Sequence, residues 1–76
     1  MTKIRNEKLL KAFGDKIRSL RAEKNLSQYK MADIANIERS QVIGIEKGEI
    51  NTTISTLFAL AKALDIEPKE LLDLNI

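Results

Sequence analysis

Arg39, Ser40, Ile43, Gly44 and Lys47 fall within one short segment, and a helix starting near Arg39 would gather them on one side. The same turn of 3.6 residues sends Val42, Ile45 and Glu46 to the opposite side, where they suit a core. The first group offers a guanidinium, a hydroxyl, a methyl-bearing surface, a glycine and an ammonium along one stripe. Those are the groups that reading a DNA duplex requires. Arginine can fork onto the O6 and N7 acceptors of guanine, serine is permissive, and an apolar side chain can meet the thymine methyl in the major groove. Lys47 would serve as a phosphate anchor. Without their setting, Arg39 and Lys47 read equally well as ordinary solvated charges.

The elements that must position this stripe are all helical. Leu10, Phe13, Ile17 and Leu20 recur at helical spacing and predict an amphipathic helix over 7–24, with Gly14 as a weak point inside it. Asn25 ends that helix, and Ser27 is a suitable N-cap for a second over 28–35 that buries Met31, Ala32 and Ala35. Asn36, tolerant of the left-handed conformation, supplies the turn. Ile37 tucks between the helices, and Glu38 places a carboxylate at the positive end of a third helix over 39–47. Gly48 stops that helix, and Thr53 caps a fourth over 54–64 whose apolar stripe is Ile54, Leu57, Phe58, Ala61 and Leu64. Pro68 fits the first position of a fifth over 68–73, capped by Glu67 and burying Leu71 and Leu72, with Leu74 a further candidate. No alternating pattern competes for strands, and no repeat or low-complexity linker divides the chain. The expectation is a single all-α domain over residues 1–76.

Composition narrows the chemistry. A chain of 76 residues builds a small core, with stability of only a few kcal/mol as the usual expectation. With neither His nor Cys it lacks the usual zinc ligands, thiol nucleophiles, imidazole bases and disulfides, which points to the reducing cytoplasm. No apolar run approaches the roughly 18 residues of a membrane span, and the N-terminus is charged rather than signal-like. The net charge of +2 is unevenly spread. Residues 1–30 hold nine basic against three acidic side chains, whereas residues 49–76 hold two against five. That polarity suits one side turned to a polyanion and another turned elsewhere, although lysine-rich helices are also simply well solvated.

The order Ser27-Gln28, Met31-Ala32, a turn ending in Ile37, Val42, Ile45-Glu46 and Gly48 resembles the helix-turn-helix of the Cro/C1-type, or XRE, transcriptional regulators. Upstream FGDKIRSLRAEKNLSQ and downstream NTTISTLFALAKALDIEPKELL resemble the rest of that family's domain, so the likeness runs from Phe13 to Leu72 without a gap. It implies a five-helix, lambda-repressor-like DNA-binding fold. Residues 39–47 then become the recognition helix, with Arg39, Ser40, Ile43 and Gly44 at base-reading positions. Gln28 with Tyr29, and the backbone around Asn51, fall where the family contacts phosphate, in keeping with helix N-termini as anion sites. Arg21 and Glu46 match a structural ion pair of the family rather than readers. The chain departs from the family pattern at Asn36, where Gly is usual, at Glu38, where Ser or Thr is usual, and at Thr52, where Pro is common. An acid at Glu38 and a glycine at Gly44 bring it nearer to restriction-modification controller proteins.

Several positions carry two readings from sequence alone. Gly44 costs about 1 kcal/mol inside a helix, which either close approach to DNA or packing against the second helix would offset. Tyr29 either donates to phosphate or covers apolar surface. The reading that follows is a cytoplasmic, sequence-specific regulator of transcription that binds double-stranded DNA as a homodimer, using the C-terminal third where Leu74 and Ile76 are left exposed. It needs no cofactor or metal. A helical module that covers a toxin-type protein partner, as antitoxins do, is the alternative. Enzymatic activity is not expected, because nothing brings a nucleophile, a base and an oxyanion site together.

Overall fold

The computed structural model describes residues 4–76, so the first three residues of the expected 1–76 unit lie outside the described residues. Four α-helices follow one another: α1 (Glu7–Glu23), α2 (Gln28–Ala35), α3 (Arg39–Glu46) and α4 (Ile54–Leu64). The fifth expected helix is a 3-10 turn, Pro68–Leu72, and there is no strand among the described residues. Its five residues are too few to sustain the i to i−4 ladder, and Pro68 opens it where a missing N–H costs nothing.

Local capping sets the boundaries. Asn6, Ser27 and Thr53 each accept a hydrogen bond from the N–H three residues on, satisfying an orphan donor of α1, α2 and α4. Glu38 and Glu67 stand at the equivalent positions of α3 and the 3-10 turn, but neither side chain makes a capping bond. Glu38 therefore contributes only its charge near the positive end of α3, less than the cap expected of it.

All four helices stop in the same way. Asn25, Asn36, Gly48 and Asp65 take left-handed backbone angles, with φ of 56°, 59°, 75° and 57°. The amides of Leu26, Ile37, Glu49 and Ile66 then turn back to the carbonyls of Arg21, Ala32, Gly44 and Ala61. Three of those following residues, Leu26, Ile37 and Ile66, press on the core, so each turn redirects the chain and also nails it down.

The core is built from Phe13 and Ile17 of α1, Met31 and Ala32 of α2, Val42 and Ile45 of α3, Leu60, Ala61, Ala63 and Leu64 of α4, and Leu71. Here α4 departs from its expected stripe. Leu60 is fully buried, whereas Ile54 is 72% and Phe58 56% exposed. Leu72, expected inside, is exposed, and Leu74, open to either reading, packs against the core. α3 packs against both α1 and α2, and α4 packs against α2. α1 and α3 come close together at Gly14, where an added Cβ would stand 2.3 Å from the Ile45 carbonyl oxygen. The glycine that weakens α1 as a helix is what lets α3 dock on it.

Candidate nucleic-acid interface

α3 is held from behind by a buried carboxylate. Val42, Ile45 and Glu46 occupy its inner side, and Glu46 is 1% exposed. A lone carboxylate at that depth would be costly, so its surroundings matter. Arg21 of α1 meets it in a two-pronged contact, Nε to Oε2 at 2.6 Å and Nη2 to Oε1 at 3.0 Å. The third arm of the same guanidinium donates from Nη1 to the Leu26 carbonyl at 2.8 Å. Gln28 at the start of α2 adds a donor, Nε2 to Oε1 at 3.0 Å. No buried side-chain N or O atom among the described residues lacks a partner. The hydrogen bond to Glu46 holds the Arg21 guanidinium above its ordinary pKa, against the lowering effect of burial. One cluster thus ties α1, α2 and α3 together.

Arg18 also belongs to that cluster, and the sequence reading missed it. Its Nη2 donates to the Glu46 carbonyl at 3.2 Å, placing a cation at the C-terminal end of α3, where the helix dipole favours one. Gly14, Arg18 and Arg21 stand at i, i+4 and i+7 on α1. That spacing, a small residue followed by two arginines on one face, was the available signal.

The outward side of α3 holds Arg39, Ser40, Gln41 and Lys47 exposed and Ile43 half-buried. Lys47 stands just past the helix as its C-cap. Gly44 does not belong to this surface. It is buried, and an added Cβ would meet Ile50 Cδ1 at 2.3 Å and Cγ1 at 2.7 Å. The glycine therefore makes room for a side chain of the following loop; of the two uses open to it, neither the duplex nor α2 is the neighbour that needs the space.

The positions expected near phosphate are also resolved. Tyr29 is 66% exposed at the start of α2. Gln28 is half-buried, and its amide is committed to Glu46 instead of pointing outward. Asn51 is exposed, yet its Nδ2 donates to the Ile4 carbonyl at 3.0 Å. Each of these amides spends one of its two N–H donors on the protein itself. The first-turn N–H groups of α2 and α4 that Ser27 and Thr53 do not cap remain, since a helix leaves them without intrahelical partners. No helix among the described residues is long and apolar enough to cross a membrane.

The sequence pattern of the helix-turn-helix family matches residues 17–71, which span the end of α1 through the 3-10 turn. The chain belongs to this family of DNA-binding regulators, in its XRE branch. It is 39% identical to the control protein C.BamHI of Bacillus amyloliquefaciens over 62 residues, 80% of this chain and 76% of that one. It is 41% identical to the control protein C.SmaI of Serratia marcescens over 59 residues, 78% of this chain and 70% of that one. Among solved structures, the restriction-modification controller protein C.AhdI of Aeromonas hydrophila superimposes with a TM-score of 0.80 at 45% identity, covering 82% of this chain and 94% of that chain. The likeness spans the ion-pair cluster and the whole of α3, so the exposed stripe belongs to a helix-turn-helix regulator of transcription.

Proposed function

We propose that the chain is a controller-type regulator that places α3 in the major groove of a near-palindromic operator. The observation that carries this reading is the division of α3 into two sides. One is locked to α1 and α2 through Val42, Ile45 and Glu46, which leaves Arg39 and Ser40 standing clear at the opposite side of the helix N-terminus. Arg39 then reads a guanine, Ser40 a neighbouring base and Ile43 a thymine methyl. Gly44 takes a packing role under Ile50. Tyr29 and Lys47 contact phosphate through their side chains, and the amide-rich starts of α2 and α4, beside Gln28 and Asn51, do so through the backbone.

The functional unit is a homodimer in the cytoplasm, with half-sites about one helical turn, roughly 34 Å, apart. Ile54 and Phe58, one turn apart on α4, form the exposed apolar pair that a second copy would cover. The acidic balance of residues 49–76 suits a side turned away from DNA. By analogy with the controllers, the regulated genes encode a restriction-modification pair, and the neighbouring genes would show it.

Selection of bound duplexes from a random library tests the reading directly. The expected result is an enriched sequence with a dyad. Arg39→Ala should relax the preference at one base of each half-site by about 1–3 kcal/mol while binding persists. An unchanged sequence preference in that variant would remove Arg39 from the readers.

A further inference from the structure

The loop behind α3, residues 49–51, is fastened from two sides. On the inner side Ile50 lies over Gly44, and the Glu49 amide donates to the Gly44 carbonyl at 2.9 Å. On the outer side the segment before α1 reaches across. Arg5 Nη2 donates to the Glu49 carbonyl at 2.8 Å, and Asn51 Nδ2 donates to the Ile4 carbonyl at 3.0 Å. These two bonds run in opposite directions and join residues 44 and 47 positions apart. Glu7 holds the Arg5 guanidinium in place through its Nε. The result is a reciprocal clasp around the single loop residue, Ile50, that plugs the glycine notch of α3.

We propose that Arg5 and Asn51 are positioning residues for the recognition helix. They hold residues 49–51 so that Ile50 stays seated on Gly44, and the seated Ile50 sets how far the C-terminal half of α3 can tilt relative to α1 and α2. Packed neighbours have few alternative arrangements, so releasing the loop lets α3 sample other tilts, with its bases-facing side chains moving together. The effect of the clasp on DNA rests on the function proposed above. Two features separate it from direct phosphate contact. Asn51 carries no charge, and its amide is turned to Ile4, so its loss removes no cation from the interface.

The test is a double-mutant cycle on operator binding, using the full chain well below its Tm. Arg5→Ala and Asn51→Ala should each weaken operator binding by about 3- to 10-fold, and the double variant should lose little more than either alone. Asn51→Ala should leave the slope of affinity against salt unchanged, and in the free protein both variants should speed hydrogen exchange at the amides of Ile50 and Glu49. A merely structural role would lower Tm and leave the affinity of the folded protein where it was. Additive losses, or faster exchange with unaltered affinity, would overturn the positioning role. If the unaltered chain selects no duplex at all, the DNA reading falls and the proposal falls with it, whereas failure of the coupling in a chain that binds overturns the proposal alone.

Discussion

Glu46 shows at the scale of one residue how a small core tolerates a charge. Its carboxylate is matched by Arg21 and Gln28, and taking away one partner leaves the other stranded. Arg21→Ala should therefore cost about 3–5 kcal/mol, measured by urea denaturation, and bring a domain of this size close to unfolding. The pH dependence of the Arg21 contribution has a definite sign. Because the folded pKa of Arg21 is raised, its contribution is fully present below the unfolded value and lost only as pH rises through the higher folded one. That window is strongly alkaline, so the Arg21 shift adds no slope near neutrality. Lys47 has a different signature, because it is exposed at the end of α3 and its effect is electrostatic. Lys47→Ala should weaken binding evenly across sequences and reduce the salt slope by about one unit, read from filter or fluorescence titrations at several salt concentrations.

For the helices, the recurring device is the left-handed stop. Asn and Gly are natural choices there, but Asp65 puts a negative charge at the C-terminal end of α4, where the dipole disfavours it, on a backbone with φ of 57°. Asp65→Gly should relieve both and stabilise the chain by about 0.5–1 kcal/mol, a rise in Tm of roughly 2–8 °C by calorimetry. The positions of these stops were legible from Asn25, Asn36 and Gly48, and the caps from Ser27 and Thr53. The face of α4 was not. Ile54, Leu57, Phe58, Ala61 and Leu64 satisfy helical spacing as well as Leu57, Leu60, Ala61 and Leu64 do, because α4 is apolar around most of its circumference. Periodicity alone cannot choose between two overlapping stripes, and the choice falls to the neighbour, α2, against which the helix packs.

In the whole molecule the apolar residues that α4 does not bury inward, Ile54 and Phe58, are left on the surface, where the homodimer proposed above would cover them. The described chain measures 35 × 25 × 19 Å, the scale of the roughly 34 Å DNA turn that separates the proposed half-sites. Phe58→Ala should change the stability of the isolated protomer by less than about 1 kcal/mol while weakening self-association at least about tenfold, as followed by sedimentation equilibrium. Operator affinity should drop in parallel, since each half-site would then be held separately.

The order of the four α-helices, the caps Ser27 and Thr53, the stops at Asn25, Asn36 and Gly48, and the separation of Val42, Ile45 and Glu46 from Arg39 and Ser40 were legible in the amino-acid sequence. These depend on neighbours within one or two turns, where spacing and side-chain chemistry suffice. Family likeness added Arg21 and Glu46 as a pair. The tertiary structure alone decided what Gly44 faces, that Gln28 bonds Glu46 and Asn51 bonds Ile4, and that Arg18 reaches the end of α3 and Arg5 the loop that follows it. Each of those outcomes joins residues many positions apart, and such contacts exist only once packing has brought the segments together.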